Sequence, residues 1–132
     1  MGLSFEELRN ANLIRCAKWH PGGVNDWSLS DWGVAMGGEA GETLNVIKKI
    51  NRADDGLVGN ARNATAETLL KALADEIADT IIYADLLAAR AGIDLDRAIV
   101  EKFNHTSVKN GFSDRLELFP RAGVEYREVP RG

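Results

Sequence analysis

Residues 68–92, TLLKALADEIADTIIYADLLAARAG, decide the fold of this chain. Apolar side chains surround almost the whole circumference of a helix drawn through this stretch, which predicts a central and mostly buried helix. Thr65 supplies a start signal a few residues earlier. Gly92 supplies the stop, because glycine readily takes the left-handed conformation that ends helices. A long central helix of this kind requires other helices packed around it.

Three further helices are predicted around this one, at residues 4–19, 30–52 and 94–109. Ser4 with Glu7 forms a capping-box pattern at the start of the first helix. Ser30 is the expected N-cap of the second, with Asp31 in the first turn, where the helix dipole favours an acid. Asp94 begins the last helix. The sequence therefore predicts an all-α protein built as a four-helix bundle.

The chain divides into a helical domain, residues 1–111, and a C-terminal tail, residues 112–132. A length of 132 residues is typical of a single domain. In the tail the residues alternate around a proline and glycine centre. This pattern favours either a short hairpin or an extended arm that lies on a partner subunit.

Composition narrows the classes of function. Twenty acidic residues against 16 basic ones give a net charge of −4, which offers no basic surface for nucleic acid. The single cysteine, Cys16, excludes an intrachain disulfide and fits a reducing cytosol. We see no signal peptide and no apolar run near the ~20 residues that a membrane span needs. We expect a cytoplasmic protein that binds neither nucleic acid nor membrane.

Two predicted helices each carry a pair of acids at the same spacing. Glu76 and Asp79 are three residues apart and share one helix face, and Glu39 and Glu42 repeat that spacing on the preceding helix. If the pairs face each other, four carboxylates converge, and such a cluster must take up protons or bind cations. Oxygen-only ligation favours Mg²⁺, Mn²⁺ or Ca²⁺. The alternative is that the acids lie on solvated faces.

Glycines surround the first of these pairs in the stretch MGGEAGE, residues 36–42. Gly37, Gly38 and Gly41 each cost about 1 kcal/mol relative to alanine inside a helix. One explanation is the close approach of another backbone or a ligand. In that case the glycines give the clearance in which Glu39 and Glu42 share metal ions. The other explanation is that the segment breaks into two shorter helices.

Three segments resemble the MazG-like nucleoside triphosphate pyrophosphohydrolases of the all-α NTP pyrophosphatase superfamily. They are GEAGE at 38–42, DEIADTIIYADLLAARAGIDL at 75–95 and EKFN at 101–104. The resemblance implies a four-helix bundle of the MazG-like type. It also implies hydrolysis of a nucleoside or deoxynucleoside triphosphate to the monophosphate and pyrophosphate. The implied cofactor is Mg²⁺, with Mn²⁺ as a substitute, and the implied assembly is a homodimer or homotetramer.

The resemblance also implies roles for individual residues. The metal ligands would be Glu39, Glu42, Glu76 and Asp79, with Glu39 or Glu42 also acting on the attacking water. Expected substrate contacts are Lys102, Asn104, Tyr83, Lys109, Trp19 and His20. Trp19 and His20 resemble the region that holds the base, and Trp27 and Trp32 lie near them in the chain.

Simpler explanations stay open for several of these residues. Lys102 and Asn104 would also make an ordinary surface pair, Tyr83 ordinary core packing, and Lys109 would offset the dipole at a helix C-terminus. Two other functions stay open as well. One is a non-catalytic module that binds a nucleotide or regulates a partner, and the other is a purely structural helical dimer.

Overall fold

The computed structural model describes residues 2–60 and 64–119, and these residues form four α-helices. The helices are α1 (Phe5–Trp19), α2 (Leu29–Asp54), α3 (Ala66–Arg90) and α4 (Leu95–Lys109), with a short 3₁₀ helix at Gly23–Asp26. No strand occurs within the described ranges. The predicted all-α architecture of four helices is therefore confirmed.

The region after α4 is only partly described. Residues 112–119 have no regular secondary structure, and residues 120–132 lie outside the described ranges. The centre of the predicted hairpin or arm falls among those residues. That expectation stays a prediction.

The start of α2 differs from the prediction. Its N-cap is Ser28 rather than Ser30. The Oγ atom of Ser28 accepts a hydrogen bond from the backbone N–H of Asp31 at 3.1 Å, and the Asp31 carboxylate accepts one from the Ser28 N–H at 3.0 Å. Asp31 completes this reciprocal capping box only with the residue three positions before it. The predicted N-caps at Ser4 and Thr65 are confirmed: Ser4 accepts a hydrogen bond from the Glu7 N–H, and Thr65 forms a reciprocal capping box with Thr68.

Helix α2 runs without a break through its glycines, so the two-helix alternative is wrong. The expected close approach is not found within one chain either. Gly37, Gly38 and Gly41 are exposed, and a Cβ atom built on any of them would have no neighbour within 4 Å among the described residues. These glycines therefore do not create the clearance between α2 and α3.

Helix α3 lies at the centre of the packing. It runs along α2 over the most extensive contact in the described chain and also packs against α1, while α4 contacts α1. The prediction that α3 is mostly buried is wrong for the single chain. Leu69 and Leu86 are buried, but Leu70, Ile77 and Ile81 are exposed. Apolar side chains on nearly every side of α3 exceed what α1 and α2 can cover.

The described core is small and lies where α1, α2 and α3 meet. Cys16, Trp32 and Leu86 are buried together, and Tyr83 packs against them. The Nε1–H group of Trp32 donates to the carbonyl of Val24 at 2.9 Å, which fixes the indole against the loop after α1. None of the helices in the described ranges is long and apolar enough to cross a membrane.

A buried polar group joins α1 to α3. Asp85 has no exposed surface, and its carboxylate accepts hydrogen bonds from Arg9 Nε and Asn12 Nδ2, both at 3.0 Å. Arg9 also donates to the carbonyl of Ile93 at 3.0 Å, in the turn after α3. A buried charge is tolerated only when it is paired in this way. The network therefore fixes how α1 lies on α3.

Candidate functional site

Three of the four predicted metal ligands converge between α2 and α3. Carboxylate oxygens of Glu39, Glu42 and Glu76 lie within 4.8 Å of one another. Beside them the Thr43 and Thr80 hydroxyls approach to 3.4 Å, which shows how closely the two helix faces meet at this level. The i,i+3 spacing on α2 placed both of its acids toward α3. We call these three residues the acid cluster.

Asp79 stands at the edge of the acid cluster rather than within it. It lies one helical turn after Glu76, and its negative charge contributes to raising the pKa of both Glu39 and Glu76. Together with Glu39 it also lines the cavity described below. The predicted set of four acids is thus gathered in one region, with Asp79 facing the cavity side.

Two members of the acid cluster, Glu76 and Glu39, have raised pKa values and so resist ionisation. Desolvation is the largest cause that raises the pKa of Glu76, followed by hydrogen bonding with Glu42 and the charges of the neighbouring acids. Desolvation also raises the pKa of Glu39, with further contributions from Glu42 and Asp79 and a partial offset by a hydrogen bond from Glu76. Apart from that hydrogen bond, these causes favour a neutral carboxyl. A shared proton or a bound cation would relieve the repulsion.

One oxygen in the acid cluster has no donor. Glu76 Oε2 is enclosed, and with the acids ionised no hydrogen-bond donor among the described residues reaches it. Burying an acceptor without a partner is costly, so such an atom calls for explanation. Its neighbours in the acid cluster are carboxylates, which bring no proton of their own when ionised. A cation would satisfy Oε2 and the oxygens beside it together.

A cavity of about 270 Å³ adjoins the acid cluster. Glu39 and Asp79 belong to its wall, so the acids and the cavity share a border. Much of the remaining wall is aromatic and is formed by Trp19, His20, Trp27, Trp32 and Tyr83. The structure therefore brings three predicted substrate contacts, Trp19, His20 and Tyr83, to one place.

The aromatic wall is held by ring contacts. The His20 ring meets those of Trp27 and Trp32 edge-on, with centroids 4.8 and 5.6 Å apart, and the two indoles are 4.6 Å apart. Trp32 is buried, whereas Trp27 and Trp19 keep exposed surface. Aromatic pairs of this geometry stabilise packing on their own. Their exposed faces also suit a flat ring.

The α4 residues are not brought to the cavity. Lys102 and Lys109 are exposed, and neither they nor Asn104 line its wall. Asn104 is buried, and its amide both donates to the Leu116 carbonyl at 3.0 Å and accepts from the Leu116 N–H at 2.8 Å. Within the described chain this amide holds the segment after α4. Substrate contacts by the three residues stay a prediction.

Two polar residues of the cavity wall were not singled out from the sequence. Asn12 is buried there, and Arg15 places its guanidinium 5.6 Å from the centre of the Trp19 ring. The i,i+4 spacing of Arg15 and Trp19 was a usable signal. The signal for Asn12 was weaker, because it requires pairing α1 with Asp85, a residue 73 positions away.

Comparisons of the chain with models of protein families, with curated proteins and with solved structures found no match.

Proposed function

We propose that this protein is a Mg²⁺-dependent hydrolase that converts a nucleoside or deoxynucleoside triphosphate to the monophosphate and pyrophosphate. One observation carries the proposal. The acid cluster, with its carboxylates within 4.8 Å of one another, shares Glu39 with a cavity whose wall is largely aromatic. A cation at the acid cluster would bind the phosphates of a nucleotide, and the aromatic cavity beside it would hold the base. The resemblance of the sequence to the MazG-like enzymes points the same way.

The residues present fit a hard divalent cation. Carboxylate oxygens are the ligands that Mg²⁺ prefers, and Mn²⁺ accepts the same set. Glu39, Glu42 and Glu76 would hold the ion, and Asp79 stands beside them. The enclosed, donor-free Oε2 of Glu76 supports this assignment. A bound Mg²⁺ supplies neutralisation of phosphate oxygens and promotes ionisation of water.

The side chains then have separate tasks in the proposed reaction. Glu39 or Glu42 accepts a proton from the attacking water as the water oxygen bonds to the α-phosphorus. The bond from that phosphorus to the oxygen bridging it to the β-phosphorus breaks, and pyrophosphate leaves. The aromatic cavity holds the base and thereby orients the triphosphate toward the acids. No nucleophilic side chain is needed.

We also propose that the protein acts as a homodimer or homotetramer. Exposed apolar side chains follow one another along α3 at Leu70, Ile77 and Ile81, a spacing of seven and then four residues. Val34 and Leu44 are exposed on α2 by 76% and 66%. An apolar surface repeated at this spacing is typical of helices that pack against another helix. A second copy of the chain would cover it.

The direct test is release of pyrophosphate from a panel of nucleoside and deoxynucleoside triphosphates, with Mg²⁺ and with chelator. We expect activity with Mg²⁺, none in chelator, and a loss of about 100-fold or more in Glu39→Gln and in Asp79→Asn. Glu117→Gln serves as the control, because Glu117 lies on the exposed segment after α4. Circular dichroism establishes that each variant keeps its helices.

The same assay separates the alternatives. Full activity of both acid variants would remove the proposed site. Nucleotide binding without turnover of any triphosphate would favour the non-catalytic module. A structural helical dimer would release no pyrophosphate, and Mg²⁺ would leave its melting temperature unchanged.

A further inference from the structure

Asn12 is a buried amide in the wall of the aromatic cavity. Its residue exposure is 3%, and its Nδ2 group donates to the carbonyl of Ile82 at 3.2 Å and to Asp85 Oδ2 at 3.0 Å. A side-chain amide nitrogen carries two protons. Both are therefore used on α3, and Asn12 has no proton left for a ligand.

The orientation of this amide is fixed by its partners. Asp85 is fully buried and is paired with Arg9 Nε at 3.0 Å, so its carboxylate stays an acceptor. A flipped Asn12 would place its own oxygen against the Asp85 carboxylate and the Ile82 carbonyl, both of which only accept. The donors of Asn12 thus face α3.

The remaining polar atom of Asn12 is its Oδ1 acceptor. No hydrogen bond to Oδ1 is made by any residue in ranges 2–60 and 64–119. Asn12 lines the cavity, so a molecule in the cavity is the available source of a donor. Once a ligand covers it, an acceptor of this kind discriminates, because a ligand without a matching N–H group leaves it unpaired.

We propose, resting on the proposed function, that Asn12 Oδ1 accepts an N–H from the exocyclic amine of the bound base. The cavity then selects bases whose amine stands at C4 of a pyrimidine or at C6 of a purine, which are cytosine and adenine. Uracil, thymine and guanine present a carbonyl oxygen at the corresponding position of the ring. That oxygen would face Oδ1 as a second acceptor. Asp85 is the positioning residue, since it holds the Asn12 amide in this orientation.

The assignment can be tested by measuring how tightly nucleoside monophosphates bind in the presence of chelator. This measurement needs neither metal nor turnover. The probes are CMP, AMP, UMP and GMP. The change in tryptophan fluorescence reports their binding, because Trp27 and Trp32 lie in the cavity wall. We expect CMP and AMP to bind at least about five-fold more tightly than UMP and GMP, the value of one hydrogen bond. N4,N4-dimethyl-CMP, which has no amine proton, should lose that advantage.

Asn12→Leu tests the residue itself, with Asn10→Leu on the exposed side of α1 as the matched control. We expect the ratio of CMP to UMP affinity to fall to about one in Asn12→Leu and to persist in Asn10→Leu. A purely structural role would weaken all four ligands alike and leave the ratio unchanged. If Asn12→Leu does not fold, the comparison of CMP with its dimethyl analogue still decides the question.

Three further results would overturn the assignment. They are equal binding of the four monophosphates by the wild-type protein, a preference for UMP or GMP, and no binding of any of the four. Failure of the proposed hydrolysis is a separate result. A protein that released no pyrophosphate but kept the preference for CMP and AMP would lose the catalytic proposal and keep the cavity assignment.

Discussion

Glu76 is the residue at which the acid cluster most clearly opposes folding. Its pKa is raised in the folded protein, first by desolvation and then by Glu42 and the other acids, and its Oε2 has no donor in the described chain when the acids are ionised. A raised carboxyl pKa adds stability at pH values below the ordinary carboxyl range. That contribution disappears as the pH rises through the raised pKa. At neutral pH the ionised Glu76 is therefore destabilising, and a bound cation would offset that cost.

Replacing Glu76 with glutamine should show this directly. The amide is neutral at every pH, and its N–H groups donate hydrogen bonds to the neighbouring carboxylates. In chelator at pH 7 we expect Glu76→Gln to melt at a higher temperature than the wild-type protein. Its melting temperature should also fall less between pH 4 and pH 8. Addition of Mg²⁺ should raise the melting temperature of the wild-type protein and leave that of Glu76→Gln nearly unchanged.

Differential scanning fluorimetry across pH, with and without Mg²⁺, provides the measurement. Glu117→Gln should behave as the wild-type protein in every condition, because Glu117 lies on the exposed segment after α4. A lower melting temperature of Glu76→Gln in chelator, or an undiminished response to Mg²⁺, would contradict the electrostatic account of the acid cluster.

Helix α4 and the segment that follows it behave as one structural unit. Gly111 has a positive φ of 74° just after the helix, and the Phe112 N–H donates to the Ser107 carbonyl at 2.9 Å. The buried Asn104 amide then makes two hydrogen bonds with Leu116. These bonds return the chain along α4. The amide that the resemblance assigns to substrate is thus occupied in positioning this segment.

Substitution of Asn104 should therefore act on stability. Asn104→Ala removes both bonds to Leu116 and leaves backbone groups without partners, which should cost about 1–3 kcal/mol. Asn104→Asp keeps the acceptor for the Leu116 N–H but places a buried carboxylate against the Leu116 carbonyl, so it should destabilise the protein as well. Urea unfolding measures the stability, and hydrogen exchange should rise at residues 112–119. Loss of pyrophosphate release at full stability would instead support the substrate contact.

How much of the structure can be predicted from the sequence depends on how far apart in the chain the interacting residues are. The helices follow from local signals, and the one misplaced start arose because Ser28 and Ser30 offer the same hydroxyl. Only the position of Asp31 three residues after Ser28 distinguishes them. The convergence of Glu39, Glu42 and Glu76 also follows from local spacing, since α2 and α3 are consecutive helices.

The cavity could not be derived in the same way. Its shape depends on how α1 and the loop after it lie on α3, and the bonds from Arg9 and Asn12 to Asp85 that fix this arrangement span 76 and 73 positions. The sequence shows three tryptophans near one another but not that Trp32 is buried while Trp27 and Trp19 keep exposed surface. These properties depend on how segments far apart in the chain pack together, which the pattern of residues along one helix does not reveal.

For the whole molecule, the unexplained feature is the exposed apolar surface of α2 and α3. Along α2 it includes Val34 and Leu44, and Gly37 and Gly41 lie between them in the chain at helical spacing. A Cβ atom added to either glycine would meet nothing within 4 Å in the described chain, yet the glycines weaken the helix. Glycine permits the close approach of another backbone. A second copy of the chain packed on this surface would account for both the apolar residues and the glycines.

The double substitution of Gly37 and Gly41 by alanine gives opposite effects on stability and on assembly. In the isolated chain each alanine should stabilise α2 by about 1 kcal/mol, since its methyl group meets no neighbour within 4 Å. In an assembly the methyl groups would hold the two copies apart. We expect the wild-type protein to be a dimer or tetramer by light scattering after gel filtration, and the double variant to dissociate at concentrations where the wild-type protein stays assembled. Lys49→Ala, at an exposed position of α2, should leave assembly unchanged.

A double variant that melts higher and keeps the wild-type assembly would show that the glycines only weaken the helix and that copies of the chain meet elsewhere.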